Sequence, residues 1–344
     1  MKYMKESFSN MVPYSSKLIT DGIILNANES PYMPPKKVVK EINKLSKGIL
    51  YNRYPDMDEV ELNSAIAKKY NIKPEEVTVG VGSDELLDVV FRATLNKGDI
   101  VLGFTPSFSM YKVFTELVEA KYVPILGDEN LLFSIDDMIN KIKEYNPKLV
   151  IICSPNNPTG QYFKKDDVKR VIESTKSLIL LDLAYIDFAN EDYVNIALNY
   201  DNVISFKTFS KAYALPSIRV GYAISKKDNI DMINAIKAPY SVSTFSQLAA
   251  KIAIENGDLY KEQVELIKSE RERLYKELKS LNFDIYPSQA NFLFIKMDKK
   301  YYEALLNNKI YIRKFSDNEY RITVGSKKEN DLLLEVMKNA WSYS

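Results

Sequence analysis

The feature that most constrains the fold is a regular alternation of amphipathic and continuously apolar segments between about residue 57 and residue 224. Helices are predicted at residues 60–70, 86–95, about 111–120 and 135–145, where apolar residues recur with helical spacing. Strands are predicted at residues 77–81, 100–103, 122–125, 149–153, 178–181, 203–206 and 219–224. Continuously apolar strands are typical of sheets buried on both faces. The sequence therefore predicts an α/β fold: a mostly parallel, seven-stranded-type sheet covered by helices on both faces.

The pattern changes after residue 240. Nearly forty residues of helical pattern, broken around residues 255–257, precede short strands at 292–295, 310–312 and 320–324. A further short strand is predicted near the start of the chain, at residues 22–26. We expect a large domain of residues 36–240. A smaller α+β domain would combine residues 241–344 with an N-terminal arm of residues 1–35.

Composition excludes several classes of protein. The net charge of +1 gives no electrostatic reason to bind nucleic acid or a membrane surface. No apolar run approaches the ~20 residues of a membrane span, and the first residues lack the apolar core of a signal peptide. Cys153, the single cysteine, lies in an apolar run and is expected to be a buried thiol. We therefore expect a cytoplasmic protein.

The sequence contains no histidine. This excludes Ser-His-Asp triads, Cys-His pairs and histidine metal sites, and no metal site is predicted. An acid–base enzyme of this composition must use Lys, Tyr, Asp or Glu as its proton carrier.

Polar residues that could bind a ligand or take part in a reaction follow the predicted strands. Gly82-Ser-Asp-Glu85 joins a strand to a helix, where free N–H groups offer an anion site; the alternative is an ordinary N-cap formed by Ser83 or Asp84. Asn157 lies in the rigid loop Ser154-Pro-Asn-Asn-Pro-Thr-Gly160. Asp182 ends an apolar strand and needs a cationic or donor partner if it is buried, such as a pyridinium N–H. The alternative is that Asp182 caps a helix. Ligands of parallel sheets bind at these carboxyl ends of the strands.

Lys211 is the centre of the most informative stretch, Lys207-Thr-Phe-Ser-Lys-Ala-Tyr-Ala-Leu-Pro-Ser-Ile-Arg219. The hydroxyls of Thr208 and Ser210 and the guanidinium of Arg219 suit a phosphate. An amine beside a phosphate site is what a Schiff-base enzyme using pyridoxal phosphate requires. A nucleotide-binding α/β protein is the alternative. However, Gly80-Val-Gly82 lacks the third glycine of a dinucleotide fingerprint, and no Walker sequence is present.

Several motifs in sequential order resemble the fold-type I pyridoxal-phosphate aminotransferases, and more narrowly the histidinol-phosphate aminotransferases. The class is indicated by Asn156-Asn-Pro-Thr-Gly160, Asp182-x-x-Tyr185, Ser210-Lys211 and Arg219. The narrower resemblance rests on Leu25-Asn-Ala-Asn-Glu-Ser-Pro31, Asn52-Arg-Tyr-Pro-Asp56, Gly82-Ser-Asp-Glu85, Pro106-Ser-Phe-Ser-Met-Tyr111, Lys237-Ala-Pro-Tyr240 and Arg321-Ile-Thr-Val-Gly325.

The resemblance implies a role for each candidate residue. Lys211 would attach the cofactor as a Schiff base and later shuttle a proton, with Asp182 on the pyridine nitrogen. Tyr185 and Asn157 would contact the phenolic oxygen, and Phe108 would stack on the ring. The phosphate would be held by Ser83, Asp84, Thr208, Ser210 and Arg219.

The resemblance also implies a substrate clamp and a partner. Arg313 and Arg321, with Asn157 and with Tyr14 from the N-terminal arm, would bind the amino donor and the 2-oxo acid acceptor. One forked guanidinium suits both a substrate phosphate and a carboxylate. Tyr54 would reach the cofactor phosphate across the interface of a homodimer.

Two departures from the family pattern stand out. Leu183 replaces a usually acidic residue, which should not abolish catalysis because Asp182 remains. Beside the substrate clamp, the segment between Arg313 and Arg321 is short and Ser326-Lys-Lys-Glu replaces a more acidic segment, which leaves the substrate open. The expected reaction is transamination between histidinol phosphate and 2-oxoglutarate. The alternatives are a decarboxylase of threonine phosphate, an aromatic amino acid aminotransferase, and a binding or regulatory protein on a retired aminotransferase fold.

Overall fold

The computed structural model describes residues 3–5, 8, 19–45 and 47–342. The strands are β1 (Ile23–Leu25), β2 (Val77–Val81), β3 (Ile100–Thr105), β4 (Lys121–Leu126), β5 (Leu149–Cys153), β6 (Leu178–Asp182), β7 (Val203–Thr208), β8 (Val220–Ile224), β9 (Asp284–Ile285), β10 (Phe292–Lys296), β11 (Ile310–Lys314) and β12 (Glu319–Thr323). The α-helices are α1 (Lys36–Leu45), α2 (Val60–Tyr70), α3 (Gly82–Thr94), α4 (Met110–Leu117), α5 (Ile135–Tyr145), α6 (Lys165–Glu173), α7 (Lys227–Ile236), α8 (Thr244–Glu255), α9 (Lys261–Ser280), α10 (Lys299–Asn307) and α11 (Lys327–Ser342).

The larger sheet has seven strands in the order β2-β8-β7-β6-β5-β3-β4. Strands β4, β3, β5, β6 and β7 are mutually parallel, whereas β8 is antiparallel to both of its neighbours, β7 and β2. Two apolar clusters cover its faces, one centred on side chains such as Val79 and Ile152, the other on Leu86 and Phe206. The prediction of a mostly parallel sheet between helical layers is confirmed.

This topology brings many chain segments to one edge of the sheet. Because β8 is antiparallel to both neighbours, β2 runs in the same direction as the five parallel strands. The carboxyl ends of β2, β3, β5, β6 and β7 therefore meet the beginning of β8 at that edge. Polar residues far apart in sequence are thereby placed close together.

The smaller sheet has five strands in the order β1-β11-β12-β10-β9. Strand β1, from the beginning of the chain, pairs in parallel with β11, with Ile23 opposite Ile310. Its apolar core includes Leu25, Leu274 and Ile322. The N-terminal segment and the C-terminal part thus build one sheet, as the sequence pattern predicts.

Helix α8 lies beyond the predicted domain boundary at residue 240, yet it packs against α1 and α2. Its side chains Ala249, Ala250 and Ala253 belong to the core of the larger sheet. The domain boundaries at residues 35 and 240 remain a prediction.

Three helices differ from the sequence prediction. Helix α3 begins at Gly82 rather than residue 86, and the Glu85 carboxylate accepts a hydrogen bond from the Val81 N–H at 2.6 Å. Helix α4 ends at Leu117 rather than near residue 120, because Glu119 adopts a left-handed conformation with φ 56°. Helix α6 has no counterpart in the prediction. Within the described residues, no helix is long and apolar enough to cross a membrane.

Candidate functional site

A cavity of about 240 Å³ lies at the edge of the larger sheet where the strand ends meet. Eleven of the predicted site residues border it: Ser83, Asp84, Phe108, Asn157, Asp182, Tyr185, Thr208, Ser210, Lys211, Arg219 and Arg321. They come from the ends of five strands, from the segment before β8, and from the smaller sheet. The described residues contain no cluster of His, Cys, Asp or Glu that could hold a metal ion.

Asp182 is the last residue of β6 and is 4% exposed. Its Oδ2 accepts a hydrogen bond from the Tyr111 hydroxyl at 2.5 Å, and its Oδ1 accepts one from the Ala184 N–H at 3.1 Å. Burial raises the pKa of Asp182, while these two hydrogen bonds lower it. A buried carboxylate with so few donors can accept another hydrogen bond from a group in the cavity.

Lys211 is half-buried in the loop after β7, and its Nζ donates to the Ala27 carbonyl at 3.0 Å. Burial lowers the pKa of Lys211 to about 8, and the nearby positive charge of Arg321 contributes to that decrease. Since the neutral amine is the nucleophile, this lysine is partly reactive at neutral pH.

Arg219 and the N-terminus of α3 form a cationic end of the cavity. Arg219 Nη1 lies 3.4 Å from the Ser210 hydroxyl oxygen, and Nη2 lies 3.3 Å from Asp84 Oδ2. Gly82 has φ +74°, and a Cβ atom there would lie 2.7 Å from Arg219 Nη2. The Thr208 hydroxyl oxygen accepts a hydrogen bond from the Ser210 N–H at 3.1 Å. Helix N–H groups, hydroxyls and a guanidinium together suit a phosphate.

Tyr185 and Asn157 lie on the side of the cavity that faces the smaller sheet. The Tyr185 hydroxyl accepts a hydrogen bond from Asn28 Nδ2 at 2.9 Å, and burial raises the pKa of Tyr185. Arg321 Nη1 donates to Asn157 Oδ1 at 2.5 Å, and its Nη2 donates to the Asn26 carbonyl at 2.7 Å. These contacts join the two sheets across the cavity.

Arg321 and Arg313 are directly paired on neighbouring strands β12 and β11. Residues directly opposite in an antiparallel pair place their side chains on the same face of the sheet. Arg321 is 7% exposed and lies over the Phe292 ring at 5.4 Å from its centroid. Arg313 is half-buried and does not line the cavity itself.

Phe108 lines the cavity in the segment between β3 and α4. Its ring makes an edge contact with the Tyr111 ring, with 5.5 Å between centroids and planes at 86°. Phe108 thereby contacts the same helix that carries the donor to Asp182.

Among the described residues, two predicted ones, Arg313 and Tyr54, do not line the cavity. Tyr54 is 80% exposed and stacks on Tyr240, with ring centroids 4.7 Å apart. Tyr14 lies outside the described residues.

Two residues in the site were not assigned by the sequence. Tyr111 donates to Asp182, and Asn28 donates to Tyr185 while its backbone N–H donates to the Thr323 hydroxyl at 3.0 Å. Both occur in motifs that indicated the family. No local pattern distinguishes them from packing residues, because their partners are 71 and 157 positions away in sequence.

Known proteins resemble this chain over nearly its whole length. The family profile described as "Aminotransferase class I and II" matches residues 20–337. A histidinol-phosphate aminotransferase of Thermoanaerobacter pseudethanolicus is 35% identical over 346 residues, covering 98% of this chain and 96% of that protein. A histidinol-phosphate aminotransferase of Pyrococcus furiosus is also 35% identical, covering 97% and 96%.

Solved structures show the same fold. The histidinol-phosphate aminotransferase of Sinorhizobium meliloti, in complex with pyridoxal-5'-phosphate, superposes with a TM-score of 0.90 at 22% identity, covering 100% of this chain and 98% of that one. That of Clostridium acetobutylicum has a TM-score of 0.85 at 26% identity, covering 94% and 100%. With a family profile that matches nearly its whole length, this chain belongs to the class I and II aminotransferase family.

Proposed function

We propose that this protein is a pyridoxal-phosphate-dependent transaminase that moves an amino group between histidinol phosphate and 2-oxoglutarate in histidine biosynthesis. The observation that carries the proposal is that Lys211, Asp182 and Arg219 border one small cavity. They supply an amine, a buried carboxylate and a guanidinium. The relatives named histidinol-phosphate aminotransferases support the choice of substrate.

The cationic end of the cavity fits the phosphate of the cofactor. Ser83 and Asp84 lie in the first turn of α3, where backbone N–H groups have no partner within the helix. Thr208, Ser210 and Arg219 would complete the cradle with two hydroxyls and a guanidinium. The Arg219 guanidinium lies so close to Gly82 that a side chain at residue 82 would collide with it. The arrangement therefore depends on glycine at this position.

The other end fits the pyridine ring. Asp182 would accept a hydrogen bond from the ring nitrogen, and Phe108 would pack on the ring face. Tyr185 and Asn157 would donate to the phenolic oxygen. When bound, pyridoxal phosphate supplies a carbonyl that condenses with amines and a protonated ring that withdraws electrons from the substrate carbon.

Lys211 would hold the cofactor and, after substrate displaces it, take and return the proton at the substrate carbon. Its pKa of about 8 suits both tasks, because a base works best near the operating pH. Burial and the charge of Arg321 produce that value. A residue proposed to bind the substrate thus also lowers the pKa of the amine that would hold the cofactor.

Arg321 and Arg313 would clamp the anionic groups of the substrates, together with Asn157 and Tyr14. Arg321 already makes two hydrogen bonds at the cavity wall, which hold its guanidinium in place. The replacement Arg313→Gln should raise KM for histidinol phosphate by about tenfold or more through loss of a charge-assisted hydrogen bond. Lys314→Gln, on the opposite face of β11, is the matched control and should leave KM unchanged.

A homodimer is part of the proposal, with Tyr54 reaching the phosphate of the second subunit. Its support is the exposure of neighbouring large apolar side chains, namely Leu50, Tyr51, Tyr54, Met57 and Tyr240. Mixing Lys211→Ala chains with Tyr54→Ala chains tests it. A hybrid dimer with shared sites has one site with both native residues and recovers cofactor affinity there. Sites formed within one chain would show no recovery.

A cytoplasmic location belongs to the same proposal. Cys153, the single cysteine in the sequence, is buried and unpaired, as is usual in a reducing compartment.

The decisive experiment is a half-reaction with purified protein carrying pyridoxal phosphate. Histidinol phosphate added without an oxo acid should convert the visible absorption band to that of the pyridoxamine form, and 2-oxoglutarate should restore it. Lys211→Ala should lose both the band and turnover. An unchanged band would remove histidinol phosphate as the donor. Threonine phosphate, with carbon dioxide release measured, and aromatic amino acids would then be tested. Failure to bind pyridoxal phosphate would refute the proposal.

A further inference from the structure

Tyr111 is buried in α4 with 1% of its surface exposed, and its hydroxyl points at the carboxylate of Asp182. The two oxygens are 2.5 Å apart. The second carboxylate oxygen accepts only the Ala184 N–H, at 3.1 Å, among the described residues. The carboxylate is thus fixed from two directions, by a side chain of one helix and by the backbone of its own loop.

Among the residues that the structure describes, no lysine or arginine forms an ion pair with Asp182. Groups that face it are the Cys153 thiol from β5, which is its register partner, the Asp84 carboxylate from α3 and the Tyr185 hydroxyl. Burial and Asp84 both favour the neutral acid. The Tyr111 hydroxyl is the one side-chain donor that opposes them in the described site.

The direction of this hydrogen bond follows from the environment of the phenol. Burial, and next the negative charge of Asp182, raise the pKa of Tyr111 well above its usual range. Tyr111 therefore keeps its proton and donates it, and Asp182 accepts as a carboxylate. Replacing the hydroxyl by hydrogen would raise the pKa of Asp182, because the charged form loses a donor in a desolvated site.

We propose that Tyr111 is a positioning residue that keeps the Asp182 carboxylate ionised and aimed into the cavity, where it pairs with the ring nitrogen of pyridoxal phosphate. The inference rests on the proposed function, because that ring nitrogen is the group the carboxylate would meet. Tyr111 itself does not border the cavity and acts through Asp182.

The test is Tyr111→Phe, which retains the ring and its edge contact with Phe108. Loss of one charge-assisted hydrogen bond should raise the dissociation constant of pyridoxal phosphate by about ten- to a hundredfold at neutral pH. The acid limb of the affinity–pH profile should move to higher pH by about one unit or more, since a tenfold change in equilibrium corresponds to one pKa unit. We expect kcat to fall while KM for the amino donor stays within twofold or so.

Tyr320→Phe is the matched control. Tyr320 is fully buried in the smaller sheet, and its hydroxyl donates to the Asp317 carbonyl at 2.9 Å. The Tyr320→Phe variant also loses a buried hydroxyl, but its affinity for pyridoxal phosphate and the pH profile of that affinity should be unchanged. Thermal unfolding of both variants without cofactor separates loss of fold from loss of affinity.

A double variant identifies the route of the effect. In an Asp182→Asn background, Tyr111→Phe should cause no further loss of cofactor affinity, because the charge it supports is absent. Equal losses in both backgrounds, or a wild-type affinity and pH profile for Tyr111→Phe alone, would overturn the inference. The wild-type protein is assayed first for binding of pyridoxal phosphate and for transamination. If it does neither, the proposed function has failed, and this result is distinct from a failure of the inference about Tyr111.

Discussion

The replacement Gly82→Ala tests whether the phosphate end of the cavity depends on the absence of a side chain at residue 82. Two effects are expected. The backbone has φ +74°, and an L-residue in the left-handed region costs about 1–2 kcal/mol of stability. In addition, the new Cβ would lie 2.7 Å from Arg219 Nη2. A flexible guanidinium can move away, so this contact should cost little stability but should displace Arg219 from its position beside Ser210.

The two effects have separate magnitudes. For a chain of this length, about 1–2 kcal/mol corresponds to a decrease in Tm of about 1–3 °C. Losing a charge-assisted hydrogen bond of about 1.5–3 kcal/mol should weaken the binding of pyridoxal phosphate by about ten- to a hundredfold. The variant should therefore fold almost normally and bind the cofactor poorly.

Gly98→Ala is the control, because Gly98 has φ +87° and a Cβ atom added there would meet no neighbouring group within 4 Å. Its stability should fall by a similar amount, and its cofactor affinity should not change. Stability is measured by thermal unfolding of the cofactor-free chains, and affinity by titration with pyridoxal phosphate. If Gly82→Ala and Gly98→Ala bind the cofactor equally well, the proposed role of the Arg219 contact is wrong. If Arg219→Ala further weakens binding in the Gly82→Ala chain, Arg219 had not been displaced.

Two further predictions concern charge. Lys237 forms a buried ion pair with Glu59 at 2.9 Å, so Lys237→Met should lower the free energy of unfolding, measured in urea, by about 3 kcal/mol or more. Lys251→Met removes a more exposed ion pair and should lower it by less than about 1 kcal/mol. Equal losses in the two variants would contradict the burial argument. Because the pKa of Lys211 is lowered to about 8, the rate at which the cofactor-free protein captures pyridoxal phosphate should rise with pH and level off above about pH 8. Arg321→Gln should shift that midpoint to higher pH by removing a positive charge, and an unchanged midpoint would refute the electrostatic cause.

The family departure at Leu183 has a structural explanation. Leu183 is fully buried in the core on one face of the larger sheet. Asp182, its neighbour in sequence, borders the cavity. An acidic side chain at residue 183 would lie in an apolar cluster here, so the leucine is consistent with the packing around it.

Much of the fold and site could be predicted from sequence because the relevant signals are local. Continuous apolar segments such as residues 149–153 bury strands on both faces, and this alone specifies a sheet between helical layers. The carboxyl ends of parallel strands lie at one edge, so the sequence was enough to expect that Asn157, Asp182 and Lys211 would meet there. The motifs around them then identified the family.

Other features depended on contacts between distant segments. The hydrogen bonds from Tyr111 to Asp182 and from Asn28 to Tyr185 join residues whose local patterns indicate only a helix and a loop. The lowered pKa of Lys211 arises from burial and from Arg321 on the smaller sheet. Neither desolvation nor the distance between charges is a property of a sequence window, because both are established only when the two sheets pack around the cavity.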